Sequence, residues 1–141
     1  MDLLSSFMSR RRFVASSDEL VGAGFSRSRI KNWLKGKRLL GLFHGVYAFG
    51  RDVETREAVM RAALLVAGRG AALTGRSALE LWGAVKSNRA IPQLVRVATA
   101  ANRKGRHRGL SPALSATTVE VVRRRFEPGD VRLKDGLAVV R

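Results

Sequence analysis

The chain has 141 residues and carries 27 Lys and Arg against 11 Asp and Glu, a formal net charge of +16 at pH 7. This length accommodates one compact domain or two very small ones and excludes a large multidomain enzyme. Hydrophobic residues make up 45% of the chain, which predicts a folded core rather than a disordered basic tail. A positive charge of this size makes a polyanion the leading partner.

Several other classes are excluded by the composition. The absence of cysteine rules out disulfides, thiolate zinc sites and a cysteine nucleophile. His44 and His107 lie far apart and in no ligand-like cluster, so we expect neither a metal nor a cofactor. The longest apolar run, residues 62–67, is too short to span a membrane, and residues 1–4 do not resemble a secretory signal. We therefore expect a cytoplasmic protein with no membrane partner.

Apolar residues at helical spacing predict a first amphipathic helix, which contains Leu3, Leu4, Phe7 and Met8. The apolar segment 13–15 follows as a connector or a small strand. Ser16 and Glu19 then have the spacing of a capping box, in which the hydroxyl accepts from a backbone N–H and the carboxylate reaches back. The second helix that they begin should end at residues 22–24, because glycine adopts the backbone of helix ends at low cost.

A third helix should begin at Ser26, its expected N-cap, and run to about Lys35. At 100° per residue, Ile30, Trp33 and Leu34 fall on one stripe that faces the core. The opposite face is polar and cationic throughout: Ser28, Asn32 and Lys35, with Arg29 and Lys31 on its flanks. No acidic residue occurs from Ser26 to Arg51. Because solvated surfaces normally mix charges, this favours a nucleic-acid surface over a merely solvated one.

Two short apolar runs, residues 39–43 and 46–49, flank the turn His44-Gly45 and predict a β-hairpin. Helix, glycine turn, helix and hairpin is the order of a winged helix-turn-helix, whose last helix enters the major groove of DNA. In that arrangement Asn32 pairs with an adenine edge and Arg29 with a guanine edge. The predicted DNA-binding residues are Ser26, Arg27, Ser28, Arg29, Lys31, Asn32 and Lys35 on the helix, and Lys37, Arg38 and His44 where the wing would meet the backbone.

The rest of the chain predicts a mixed α/β region. The expected elements are a helix over about residues 54–67 stopped by Gly68, a helix capped by Thr74 that contains Trp82, and strands at residues 94–98, 118–122, 131–133 and 137–140. Asp135-Gly136 is the expected turn between the last two strands. The predicted fold class is α+β, with a winged helix-turn-helix domain over residues 1–50 and a small α/β region over residues 51–141.

Residues 102–109 form a basic, glycine-punctuated stretch that we interpret as a loop. This stretch either contacts DNA phosphates beyond the main binding site or is a solvated insertion, and the sequence leaves both interpretations open. The candidate additional DNA contacts are Arg103, Lys104, Arg106 and Arg108. The arginines at 123–125 form a second, less specific candidate for phosphate binding.

No catalytic constellation can be assembled from the sequence. The acidic residues are scattered, and no phosphate-binding glycine loop, serine-nucleophile elbow or zinc-protease motif occurs. Glu54 and Glu57 read as ordinary charges at the start of a helix. We therefore expect no catalytic residues and no enzymatic activity.

Three segments resemble the AbiEi-type antitoxins of type IV toxin–antitoxin systems. They are residues 36–48 (GKRLLGLFHGVYA), 70–83 (GAALTGRSALELWG) and 128–139 (PGDVRLKDGLAV). The resemblance implies an N-terminal winged helix that binds operator DNA, often to repress its own operon, joined to an antitoxin-type α/β region. Longer members continue into an effector region, whereas this chain stops at Arg141, so a compact stand-alone regulator is expected.

The expected function is therefore that of a sequence-specific regulator of transcription, an antitoxin-like repressor that binds double-stranded DNA. The alternative is an interaction protein whose residues 54–141 neutralise a cognate toxin, with DNA binding secondary. RNA binding is a third reading, although the sequence lacks the aromatic motif of an RNA-binding sheet. Whether the chain is a monomer or a homodimer stays open.

Overall fold

Two β-sheets organise the part of the chain that the computed structural model describes, which is residues 3–50, 55–75, 77–78, 91–101, 105–134 and 136–140. The fold is mixed α+β, as the sequence predicts. The first sheet has three antiparallel strands and the second has six strands of mixed direction.

The first sheet is built from the N-terminal segment. Its elements, in chain order, are α1 (Leu3–Arg10), β1 (Val14–Ser16), α2 (Ser17–Gly22), α3 (Arg27–Lys35), β2 (Leu39–Phe43) and β3 (Val46–Phe49). The strands lie in the order β1-β3-β2, so β2 forms one edge. The three helices and the hairpin predicted for this segment are confirmed as elements.

Side-chain caps explain where α2 and α3 begin. The Ser16 hydroxyl accepts from the Glu19 backbone N–H at 3.1 Å, and the Glu19 carboxylate accepts from the Ser16 N–H at 3.1 Å. The predicted capping box is therefore confirmed. Ser26 caps α3 in the same way, because its hydroxyl accepts from the Arg29 N–H at 3.1 Å. Between the two helices Gly24 has φ +103°, a backbone conformation that glycine adopts without strain.

The helices pack on one face of the first sheet. Their core cluster consists of Leu4, Met8, Ala15, Leu20, Phe25, Ile30 and Leu39. The Phe25 ring meets the rings of Phe7 and Trp33 edge to face, at centroid distances of 5.9 and 5.3 Å. Trp33 is half-buried against this cluster, which agrees with its predicted place in the core.

The second sheet follows a longer helix. The elements are α4 (Arg56–Ala67), β4 (Ala72–Leu73), β5 (Leu94–Thr99), β6 (Gly105–Arg108), β7 (Thr118–Arg123), β8 (Val131–Lys134) and β9 (Leu137–Val140). The strand order is β6-β7-β5-β4-β9-β8, with β5 parallel to β7 and β4 parallel to β9. The predicted strands and the final hairpin are confirmed, while Asp135 of its turn lies outside the described residues.

The structure corrects the interpretation of residues 102–109 as a loop. Residues 105–108 are strand β6, which pairs antiparallel with β7 from Gly105 opposite Val121 to Arg108 opposite Thr118. All four residues are exposed, so β6 has no apolar alternation to reveal it in the sequence. Strand β4 was also not predicted, because two residues are too few for a periodic pattern. The predicted helix after Thr74 is described only at its start, and Trp82 lies outside the described residues.

Helix α4 contacts both sheets and joins their cores. One hydrophobic cluster includes Leu42, Phe43 and Val46 of the first sheet, Val59 and Ala63 of α4, and residues of β4, β5, β7 and β9. Residues on both sides of the predicted boundary between residues 50 and 51 therefore contribute to one continuous apolar core. The division into two domains stays a prediction.

Gly109 holds the end of β6 in place and provides a test of this packing. A Cβ at this position would overlap the backbone carbonyl oxygen of Leu114, an atom that cannot move independently of the chain. We expect Gly109→Ala to lower the free energy of unfolding by about 1–3 kcal/mol, the usual cost of overpacking. Urea denaturation followed by circular dichroism measures this. Gly129→Ala is the matched control, because a Cβ there meets no atom within 4 Å, and equal stability of the two variants would contradict the prediction.

Candidate nucleic-acid interface

The outer face of α3 carries the predicted recognition residues. Ser28, Asn32 and Lys35 are exposed on the side opposite the buried Ile30. Arg27 and Lys31 extend this face on one flank, where they border a small groove with Tyr47. The helix thus presents hydrogen-bonding groups at its centre and cations around them, as its periodicity predicts.

Arg29 occupies the other flank and is held against aromatic rings. Its guanidinium carbon lies 5.2 Å from the Trp33 ring centre and 5.6 Å from that of Phe25. Such cation–π contacts stabilise a defined side-chain position. Asn32 therefore lies at the centre of the exposed face, whereas Arg29 is held at its edge.

Ser26 has a structural task in addition to its predicted phosphate contact. Its oxygen accepts the hydrogen bond that begins α3. A serine hydroxyl also carries one proton to donate, so the cap and a phosphate contact are compatible. Backbone N–H groups and side chains at the start of a helix are common phosphate ligands.

Lys37 and Arg38 follow directly after α3, at the base of the hairpin. Lys37 is exposed and has φ +60°, a left-handed backbone conformation that is strained for a lysine. Arg38 stacks near both Trp33 and Phe49, with its guanidinium carbon 5.9 Å from each ring centre. Both residues lie beside the end of α3, where a cation is also favoured by the helix dipole.

His44 is separated from these two residues, although the sequence grouped all three at the wing. It lies at the turn of the hairpin, beyond the five-residue strand β2. At the rise of an extended strand, it is about 20 Å from Arg38 along the chain. The turn is held to the start of α2, because the Ser17 N–H donates to the Gly45 carbonyl at 2.8 Å.

A groove of about 850 Å³ adjoins this turn and runs towards α4 and the second sheet. Its lining includes His44, Glu19 and Arg61 of α4. Burial lowers the pKa of Arg61, the charge of Arg12 lowers it further, and Glu19 opposes both effects. His44 therefore faces the junction between the two sheets as well as the tip of the hairpin.

Two of the four candidate residues for additional DNA contacts lie within the described chain. Arg103 and Lys104 lie outside it, whereas Arg106 and Arg108 are exposed on β6. Arg106 forms an ion pair with Glu120 of β7 at 2.9 Å, and Glu120 also pairs with Arg96 of β5 at 2.9 Å. No pattern in the sequence connects Arg96 with this cluster. A partner for Arg106 could be found only from the strand register.

No group of three or more His, Asp or Glu that could hold a metal occurs within the described ranges. Across the same ranges, every helix is too short or too polar to cross a membrane.

No protein-family model matches the sequence, and a search of curated proteins gives no significant match.

Proposed function

We propose that this chain is a sequence-specific double-stranded DNA-binding protein that regulates transcription, with α3 as a recognition helix in the major groove. The observation that carries the proposal is the outer face of α3, where Asn32 stands exposed between Ser28 and Lys35. Acidic residues are absent from Ser26 to Arg51, so nothing in this segment repels phosphate. Asparagine pairs bidentately with adenine, which supplies the base reading.

The topology around α3 supports a winged helix-turn-helix. The element order α1-β1-α2-α3-β2-β3 and the strand order β1-β3-β2 place a hairpin directly after the candidate recognition helix. In this proposal the hairpin is a short wing, because only His44 and Gly45 form its turn. Such a wing contributes backbone contacts beside the helix rather than deep groove insertion.

The proposal also includes that the chain is related to the AbiEi-type antitoxins and that it represses its own operon. The resembling segment 36–48 begins directly after α3 and covers β2 and most of β3. It contains Lys37, Arg38 and His44, which the DNA-binding proposal uses. The last resembling segment covers β8 and most of β9. Of the middle segment, 70–83, residues 76 and 79–83 lie outside the described residues.

Neutralisation of a cognate toxin protein is the second candidate function. It is favoured by large apolar side chains that stand exposed around the second sheet, Leu94, Leu110 and Leu133. Exposed apolar side chains of this size are available for contact with a partner protein. Purification of the tagged chain from its native operon context tests this function, and stoichiometric recovery of one neighbouring gene product is the expected result.

Binding to duplex DNA is tested directly by selection from a library of random duplexes, followed by gel shift at several salt concentrations. We expect an enriched motif and an affinity that falls steeply with salt. Structured RNA is the competitor. Failure to enrich any motif, or stronger competition by RNA than by the enriched duplex, would overturn the proposal.

Lys37→Ala is expected to weaken binding to all duplexes alike and to reduce the slope of log K against log salt by about 0.9, the value for one phosphate contact. Lys37→Gly should do the same while relieving the strained backbone, so the effect cannot be attributed to unfolding. Arg132→Ala, at an exposed position on β8, is the control. A Lys37→Gly protein with the slope of the parent would show that Lys37 does not touch DNA.

A further inference from the structure

We propose that the DNA contact continues from the hairpin onto the edge of the second sheet, where Arg106 and Arg108 of β6 bind phosphates of the same duplex outside the footprint of α3. This inference rests on the proposed function. It assigns one partner to both sheets and makes β6 part of the interface rather than a solvated edge.

The first support is the exposure and charge of β6. It is an outermost strand of the six-stranded sheet, and each of its residues is exposed. Three of the four carry Arg or His side chains, Arg106, His107 and Arg108. Because the strand is paired along its whole length with β7, the backbone that carries Arg106 and Arg108 is held in place.

The strand register places the arginines on one face. Arg106 lies opposite Glu120 and Arg108 opposite Thr118, and Arg96 of β5 lies on the other side of Glu120. Glu120 is shared by Arg96 and Arg106, so one carboxylate meets two cations and leaves positive charge. Among the described residues, no ion-pair partner is found for Arg108.

The second support is the connection between β6 and the hairpin. Directly after the strand, the Leu110 N–H donates to the carbonyl of Leu42 in β2 at 2.8 Å. The Gly109 N–H donates to the Thr117 carbonyl at 2.9 Å and fixes the turn on the β7 side. Since β2 is an edge of the first sheet, the arginine end of β6 abuts the proposed wing.

The spacing of the two arginines suits a duplex. Arg106 and Arg108 are about 7 Å apart at the rise of a strand. Duplex DNA rises 3.4 Å per base pair, so the two arginines span about two base pairs. Arg123 of β7 alternates with Glu120 and therefore lies on the opposite face of the sheet.

A purely protective role is the competing explanation for these charges. Cations on an outermost strand discourage pairing with a second sheet, and this would require no ligand. The other outermost strand, β8, carries Arg132 and Lys134 and provides an internal comparison. Protection predicts similar behaviour of the two strands, whereas the proposed contact predicts a difference in DNA binding.

The test compares Arg106→Gln/Arg108→Gln with Arg132→Gln/Lys134→Gln, which removes the same charge from β8. Fluorescence anisotropy with the selected duplex gives affinity as a function of salt. We expect the β6 variant to reduce the salt slope by about 1–2, at 0.9 per phosphate, and to keep the preference for the selected site. The β8 variant should retain the parent slope.

The single variant Arg108→Gln keeps the Arg106–Glu120 ion pair, so its effect cannot come from loss of that pair. It should reduce the salt slope by about 0.9. Shortening the duplex by about five base pairs on one side should weaken the parent but not the double β6 variant, because the lost phosphates are those that β6 binds. Equal slopes for the β6 and β8 variants would overturn this inference alone, provided that the parent binds the duplex with sequence preference. A parent that binds no duplex would overturn both the inference and the proposed function.

Discussion

Asn32→Ala is expected to remove most of the preference of this chain for its selected DNA site and to leave non-specific binding nearly unchanged. The Asn32 amide is exposed at the centre of the α3 outer face, where it makes no hydrogen bond that the fold requires among the described residues. A good bidentate base contact contributes about 1–3 kcal/mol of discrimination, which corresponds to about 5- to 150-fold in the affinity ratio.

The measurement is the ratio of affinities for the selected duplex and for a scrambled duplex of equal length. Ser28→Ala is the matched control, since Ser28 lies one turn earlier on the same face and is expected to contact phosphate only. The control should weaken both duplexes alike and preserve their ratio. If the affinity ratio is unchanged in Asn32→Ala, α3 does not read bases through this residue.

Phe43→Ala is expected to lower the free energy of unfolding by about 3–5 kcal/mol, which is more than the loss expected for Gly109→Ala. Phe43 is 0% exposed, and its side chain is the largest fully buried one among the described residues. It belongs to the cluster that includes α4 and both sheets, so the cavity would open where the two cores meet. Such a loss is a large share of the stability of a domain of this size.

Urea denaturation monitored by circular dichroism and by tryptophan fluorescence measures this effect. Leu133→Ala is the control, because its side chain is 77% exposed and its removal should change stability by less than about 0.5 kcal/mol. Because the core is shared, the two probes should report one transition at a lower urea midpoint. A two-step curve in which only one step moves would contradict a common core.

The helices of the N-terminal segment could be predicted from the sequence because local interactions determine where they begin. Ser16 with Glu19, and Ser26 with the start of α3, are side-chain caps that act within three residues. The exposed face of α3 was equally predictable, since its polar residues recur with the period of a helix. Most of the candidate site lies on these local elements.

The remaining features depend on contacts between distant residues. Strand β6 has no apolar pattern and exists through its pairing with β7. The position of Arg38 depends in part on the ring of Phe49, which β3 supplies. The attachment of the hairpin turn to the start of α2 depends on the hydrogen bond from the Ser17 N–H to the Gly45 carbonyl, which the sequence does not predict.

The shared core has a thermodynamic consequence for binding. A ligand that binds only the folded state stabilises whatever unfolds together with its site. Because α4 packs against both sheets, DNA bound at α3 should slow amide hydrogen exchange in β5 and β7. This effect would require no direct contact between α3 and those strands. A protein bound to the second sheet would in turn increase the fraction of chains whose α3 is folded and ready for DNA, so the two partners would be linked through a single folding equilibrium.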